Sequence, residues 1–543
     1  MKKIVVIGLI IILIFTNFSI TSAFKAINYD NKFSKNILYV GGCGAGNYSS
    51  IQEAIDNASN GDTVFVFNGT YYENVLINKS ITLTGYDKVT TIINGTKGYY
   101  CISIESQDVI INNFTIKNSR TLGGVRRGIR IIKNSDNAKI FDCIFTGNCW
   151  DGIFVQNTEY VTIEKCEFLD NLNGISQWDA NYSTIHNCDF VNDQDNIYFQ
   201  RSDKNTISNC TMKSSISTHG NQGIYLIYSS WNVIYNCSIT DIGEGISLYT
   251  DSSFNTIDDC DIIDSVMRGL VISGSVSNKI LNSTIATNGE SGIEFFGKGG
   301  APSAVDTEYN TIDNCVINGN NDYGVLYMPN CHYNEIINSE ISNNIVGVNT
   351  RPSTYNNRIF NNKFIDNTEY QAYDAGNNIW NDSYPHGGNY WSDYPGVDQY
   401  NGPDQDIVGS DGIGDMPYAI PDGQHADHYP LVTLDEEDPE VKIIKPISGL
   451  YLFNLRLRKF FLHRLPLIIG RITIEVDAKD NDTGIRNVEF YINGKLEANI
   501  TSEPFSFKWT GRRILKHRHT FKVVAFDFAG NNASDEITVR KYL

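Results

Sequence analysis

Through most of the chain, apolar residues alternate with polar ones in runs of three to five, each run closed by Asn, Asp or Gly. That is the period of short strands, and no helical stripe of useful length interrupts it. The runs recur as a phrase. "YSTIHNCDF" (182–190), "NTISNCTM" (205–212), "FNTIDDCDI" (254–262) and "YNTIDNCVI" (309–317) share a Thr-Ile step, two residues, a cysteine and an apolar residue after it. Alignment puts Cys143, Cys166, Cys188, Cys210, Cys237, Cys260, Ser283, Cys315, Ser339 and Asn362 at one position, mostly 22–24 residues apart. A second phrase, Gly-apolar-X-X, recurs between them, as in "DGIFVQ", "NGISQW", "QGIYLI" and "EGISLY".

A fixed period of this length is the mark of a repeat architecture. Several short strands per unit, with no helix between them, exclude a leucine-rich horseshoe or a doubly wound sheet. A coil of about three strands, stacked in parallel, satisfies the period, so the expected fold is all-β, a right-handed parallel β-helix. On these phrases, residues from about 100 to 375 resemble the repeats of pectate-lyase-like and NosD-like secreted proteins. Asn187, Asn209, Asn236 and Asn314, each just before the cysteine, are expected in turns, where Asn tolerates left-handed geometry. The cysteines then share one inward column with strands ~4.8 Å apart and parallel side-chain vectors. Ser283, Ser339 and Asn362 fit the same place, so a buried thiol ladder is expected rather than disulfides. Cys43, Cys101, Cys149 and Cys331 lie off the column, and their pairing stays open.

The coil is expected over 36–380. "SSIQEAIDNASNGD" (49–62) reads as a cap helix near 50–58, with Ser50 and Glu53 in a capping-box pattern and Ile51, Ala54, Ile55 and Ala58 on one face. Residues 381–436 change composition toward Gly, Asp, Tyr and Pro. The run "NYWSDY … DGIGD … PY … YPL" resembles the closing segment of archaeal NosD-like proteins. After the acidic "LDEEDPE", residues 437–543 alternate over longer runs with "NG" as a hairpin turn. They resemble the immunoglobulin-like β-sandwiches of prokaryotic cell-surface proteins. The basic, apolar insert 450–470 reads as packed edge strands, with a surface- or membrane-contacting loop as the alternative.

Charge and termini narrow the setting. The 543 residues carry a net charge of -19, which argues against nucleic acid or an anionic membrane as a general partner. "MKK", an apolar run and "TSA" make residues 1–23 a signal segment, with an uncleaved anchor as the rival. No second apolar run of spanning length follows. Asn-X-Ser/Thr sequons recur from Asn47 to Asn532 and agree with export. A secreted or cell-surface location is expected.

The candidate chemistry is diffuse. Outward positions of the Gly-apolar-X-X strands form a row of aromatic and polar groups suited to sugar rings and hydroxyls: Trp178, Tyr198, Tyr225, Tyr249, Gln156, Gln200, Arg130 and Glu294. A polysaccharide or cell-surface glycan is the expected partner. The resemblance also implies enzymes, whose hydrolases use paired carboxylates and whose lyases use calcium-linked carboxylates with a base. No carboxylate pair matches those motifs, and no Tyr-Gly-Phe-Asp-Pro-His segment like that of mannuronan epimerases occurs. Asp151, Asp179, Asp251 and Glu294 can line the face with His219, Arg201 and Arg268, and "RTLGGVRRGIR" (120–130) is a local basic patch. A glycan-binding or structural protein is therefore the leading reading, and a lyase, C5-epimerase or hydrolase the alternative. In the tail, Asp404, Asp406, Asp411 and Asp415 offer hard oxygen ligands for calcium among glycines. Copper, which the NosD-like label implies, has only His425, Asp427 and His428 close together, and the composition argues against it.

Overall fold

The computed structural model describes residues 36–542 apart from 96–98, 118–125, 149, 215–219, 299–304, 423–424, 433–437, 459–464, 481–483, 511–517 and 528–530. The expected leader at 1–23, Cys149, His219 and much of the basic patch lie outside the described residues.

One coil shows why the phrase repeats. Thr184–His186 is a short strand whose middle residue, Ile185, is fully buried. Asn187 turns the chain at φ 53°, Cys188 points inward, and Asp189–Val191 buries Phe190. Asp195–Gln200 is the long strand and buries Ile197 and Phe199. Each strand pairs in parallel with its counterpart one coil on, setting Ile185 beside Ile207, Phe190 beside Met212 and Ile197 beside Ile224. Repetition builds three sheets of 17, 14 and 13 strands, and the fold is the right-handed parallel β-helix the period predicts. Identical side chains stack along its axis: the rings of Phe145, Phe168 and Phe190 follow at 4.9 and 4.7 Å.

The cysteine column is a ladder of buried, free thiols. The Cys166, Cys188 and Cys237 thiols each donate to the carbonyl two residues back at 3.4 Å. Where serine replaces cysteine, its hydroxyl accepts the preceding rung's N–H: Cys260 N donates to Ser283 Oγ and Cys315 N to Ser339 Oγ, both at 3.1 Å.

The other asparagine of the phrase, before Thr-Ile, is buried rather than in a solvated turn. From Asn205 to Asn357 these residues form a continuous amide ladder. A second ladder runs through Asn288, Asn320, Asn344 and Asn367. Both satisfy backbone N–H groups at coil corners that no strand pairing reaches.

The coil ends are covered, which removes the unpaired strand edges. Ile51–Asn57 is a helix with Ile51, Ala54 and Ile55 buried. Ser50 Oγ accepts the Glu53 N–H at 3.2 Å, as the capping pattern predicts. The N–H groups of Ile51 and Gln52 go instead to the Glu73 carboxylate, at 2.9 and 3.0 Å. At the other end Tyr390–Trp391 continues the 14-stranded sheet. Trp391 lies between Phe364 (4.4 Å) and Tyr418 (4.2 Å), both stacked on it. Asp427 is fully buried and accepts the Asn389 N–H at 2.6 Å and Trp391 Nε1–H at 3.0 Å. These contacts explain the residue types of "NYW" and "HADHYPL".

Beyond residue 439 the strands are mostly antiparallel, in sheets of three and seven. Ile474, Val488, Phe490, Phe521 and Val523 form a separate core. Asn493 and Gly494, both left-handed, make the tight turn between Ile485–Ile492 and Lys495–Ile500. In the insert, Leu450–Leu452 pairs with Leu455–Arg458 and with Leu467–Ile469, so the edge-strand reading holds, with Phe453 and Leu455 exposed at the tip.

Candidate functional site

The 13-stranded sheet carries the Gly-apolar-X-X strands, and alternation fixes which residues leave the coil. Ile153, Ile175, Ile197 and Ile224 form one inward column; Phe154, Ser176, Tyr198 and Tyr225 form the outward column beside it. Gln156, Trp178, Gln200, Ile227 and Tyr249 form a second outward column. The repeated glycine is a packing requirement: a Cβ on Gly174 would lie 2.6 Å from the Asn196 carbonyl and from the Phe190 ring.

The aromatic row is contiguous. Tyr198, Tyr225 and Tyr249 follow at centroid separations of 5.3 and 5.4 Å, and Phe154 meets Trp178 edge-on at 5.4 Å. Tyr198 donates to Gln200 Oε1 at 3.3 Å. At the N-terminal end of this row lies an open recess of about 220 Å³, lined by Trp150, Asp151, Phe154, Asn173, Ser176, Trp178, Asp195 and Tyr198.

Its carboxylates come from one column, because Asp151, Asn173 and Asp195 are register partners at the start of successive long strands. Asp151 is buried. It accepts Ser176 Oγ–H at 2.6 Å, Asn173 Nδ2–H at 2.9 Å and Arg127 Nε–H at 2.7 Å. Burial nonetheless raises its carboxyl above the usual range, against those hydrogen bonds and the guanidinium. The same guanidinium lies 3.5 Å over the Phe154 ring. Asp195 is pushed up to about 6 by burial, opposed only by a backbone hydrogen bond involving Gln222. Trp178 Nε1 is buried at the rim without a hydrogen-bond partner. Together the recess offers an aromatic wall, two carboxyl groups with raised pKa and an unspent donor.

Not every expected residue faces this recess. Arg130 is committed to Glu105 (3.0 Å) and Ser103 (3.1 Å) on the neighbouring strand. Glu294 belongs to a cluster with Arg268, at 2.6 Å, which also pairs with Glu244 at 2.7 Å and Glu290 at 3.3 Å. Burial pushes its carboxyl up to about 7 even so. Asp179 pairs with Arg201 at 2.7 Å on an exposed turn, and Asp251 is a left-handed turn residue. Of the candidate acids only Asp151 lines the recess. Asp195 and Asn173 escaped the sequence reading, and Arg127 figured only within the basic patch 120–130; the signal for the two was the polar residue that opens each long strand, as in "DGIFVQ", "NGISQW" and "DNIYFQ".

The acidic loop of the tail is stitched by its own carboxylates. Asp411 accepts the Ile413 N–H (3.1 Å) and the Gly402 N–H (3.2 Å); Asp415 accepts those of Gln399 and Tyr400 at 3.1 and 3.0 Å. Asp398, which sequence reading passed over, accepts from Ser410 Oγ and Gly412 N. Asp404 and Asp406 are exposed. Among the described residues no three His, Cys, Asp or Glu side chains converge as a metal site. Of the copper candidates, His425 Nε2 lies 3.0 Å from the Gly376 carbonyl and Asp427 accepts from the cap backbone.

Coils, recess and closing cap define a parallel β-helix protein with an accessory β-sandwich. Family models match in the same order: a right-handed β-helix region over 127–285, the periplasmic copper-binding protein NosD over 298–396, and a bacterial Ig domain over 468–523. The chain thus resembles NosD-like β-helix proteins, with an Ig-like segment at its C-terminal end. It is 29% identical over 362 residues to a cell surface glycoprotein of Methanothermus fervidus, covering 64% of this chain and 51% of the other. The chain thus spans about half the length of that curated relative. Similar solved structures include the A-module of a mannuronan C-5 epimerase from Azotobacter vinelandii, at TM-score 0.36 and 15% identity over 57% of this chain and 97% of that one. Tailspike protein 3 of bacteriophage CBA120 aligns at TM-score 0.44 and 12% identity, over 67% and 65%. Among the described residues no helix is long and apolar enough to cross a membrane.

Proposed function

We propose that this is a cell-surface β-helix protein that holds a polysaccharide against its 13-stranded sheet. The observation that carries the reading is the recess at Trp178, where an aromatic wall, amide and hydroxyl groups and an unpartnered indole N–H converge beside a continuous tyrosine row. Such a mix holds a pyranose by ring stacking and its hydroxyls by hydrogen bonds. The surface location draws on the printed name of the Methanothermus fervidus relative. A carbohydrate array tests it: the full chain should retain one or more glycans, and the Trp178→Ala, Tyr225→Ala double variant should lose at least one of them while remaining folded. Array signals identical for the two proteins would sink the reading.

One observation favours hydrolysis as a second reading. Asp151 and Asp195 sit two strands apart, about 10 Å along the sheet, just beyond the carboxylate separation used for inversion, roughly 6.5–9.5 Å. Asp195, with its pKa near 6, would carry the proton to the leaving oxygen at mildly acidic pH; Asp151, held by Arg127, would activate water. New reducing ends lost in the Asp195→Asn variant would support this; binding without turnover would leave a lectin-like protein.

A further inference from the structure

A second aromatic feature lies on a different side of the coil. The corner before each Thr-Ile strand holds one left-handed residue per coil, and backbone bonds link these corners from coil to coil. Tyr160 N donates to Asn181 O at 3.1 Å, Trp231 N to Ser253 O at 3.1 Å and Tyr333 N to Tyr355 O at 3.3 Å. Three adjacent pairs in this column are aromatic: Tyr160 with Tyr182, Trp231 with Phe254, Tyr309 with Tyr333. Their φ angles run from 55° to 63°. The rings of each pair are stacked, at 5.1, 4.4 and 5.3 Å. They are 38–56% exposed. Asn137 and Asn356 occupy the same corner at φ 62° and 56°. Asparagine accepts that backbone readily, whereas a bulky ring is strained in it. Strained aromatics kept on the surface where asparagine fits point to a use for the rings.

The third pair borders a built recess. About 320 Å³ of open space is lined by Tyr309, Thr311, Tyr333, Glu335, Asn356 and Arg358. Thr311, Glu335 and Arg358 are register neighbours on three successive strands. Arg358 Nη1 donates to Glu335 at 2.8 Å, and its Nη2 pairs with Asp382. The Arg358 charge is matched by Glu335 in the lining and by Asp382 beyond it, so no cation is left over to favour uronates or sulfated chains. The stacked tyrosines supply a wall, while Glu335, Asn356 and Arg358 supply acceptors and donors for hydroxyls.

We infer that this corner is a second carbohydrate site, taking a neutral glycan against Tyr309 and Tyr333, with Glu335, Asn356 and Arg358 meeting its hydroxyls. None of its residues belongs to the 13-stranded sheet, so it stands apart from the glycan reading of that face.

Titration calorimetry of the full chain with cellohexaose, laminarihexaose, chitohexaose and polygalacturonate tests it. The informative variant is Tyr309→Asn with Tyr333→Asn, because asparagine suits the left-handed corner and keeps the chain folded. At least one neutral hexasaccharide should bind the parent and lose tenfold or more in affinity in this variant. The Trp178→Ala, Tyr225→Ala protein should keep the binding that the corner variant loses. Tyr333→Phe, which retains the ring, should bind within about threefold of the parent. Equal affinity in parent and Asn variant, with only a lower melting temperature, would mean the rings serve coil stacking and would overturn the site. So would failure of all three neutral sugars to bind the parent, or binding of polygalacturonate alone.

Discussion

Asn310 and Asn334 are joined twice across one coil: Asn334 Oδ1 accepts the backbone N–H of Asn310 at 3.0 Å and its side-chain Nδ2–H at 2.9 Å. Both residues are fully buried. Asn334→Ala would orphan the Asn310 backbone N–H and remove the bonds of Asn334 Nδ2 to Thr307 O and Asn357 Oδ1, while Asn310 Nδ2 keeps the Ser275 and Glu308 carbonyls. Each buried unsatisfied polar group costs about 1–3 kcal/mol. We expect the variant to lose at least about 2 kcal/mol, read from the shift in urea midpoint. A change below about 0.5 kcal/mol would show that water or relaxation replaces the rung.

The cysteine column predicts chemical silence. The hydrogen-bonded contact with Cys210 is the leading cause that pushes the Cys237 thiol up to about 12, with burial adding to it. Burial dominates at Cys166 and Cys188. Only the thiolate is reactive, so Cys166, Cys188, Cys210 and Cys237 should resist a thiol reagent at pH 8 in the native protein. All four should label after denaturation without reductant. Mass spectrometry finding any of them in a disulfide would break the ladder.

What could be read from sequence followed from local periodicity. The spacing of Cys143 to Asn362 gives the coil length, and period-two alternation places Ile175 inside and Trp178 outside. What escaped depends on residues a full coil away. Asn205 looks like a turn former until the next coil buries it against Asn232. Arg130 and Glu294 look free until strands on adjacent coils supply Glu105 and Arg268. Asp411 and Asp415 also tie down backbone N–H groups of Ile413 and Tyr400, contacts that short-range spacing does not reveal.

Facing also sets the sizes of two stability effects. Ile224 is fully buried beside Ile197 and Ile246, so Ile224→Ala should cost about 2–5 kcal/mol through the cavity it leaves. Trp178 is half-buried on the outer surface, and Trp178→Ala should cost less than Ile224→Ala in the same denaturation series. The reverse order would mean that the indole is a core residue and that the recess beside it is filled by protein.

The last prediction concerns a carboxylate built into a ladder of amides. Asp193 ends a short run from Asn148 through Asn171, and its Oδ1 accepts the Asn171 N–H at 2.6 Å and Nδ2–H at 2.9 Å. Its other oxygen, Oδ2, is buried without a partner. Burial pushes the group up to about 8, against about 4 in the unfolded chain. Between those values the native state keeps a proton that the unfolded state has lost, so unfolding free energy falls as pH rises from about 4 to about 8. Stability from this group is therefore fully present below pH 4 and is lost toward pH 8. Asp193→Asn keeps the acceptor and removes the ionisation. The variant should match the parent near pH 4 and exceed it progressively above, by about 2 kcal/mol or more at pH 8. Asp195, Glu294 and Asp427, also raised, titrate in both proteins and cancel in the comparison. Urea midpoints at pH 4, 6 and 8 measure the divergence. Parallel curves would mean that Asp193 is solvated in the folded protein and titrates as an ordinary surface carboxylate.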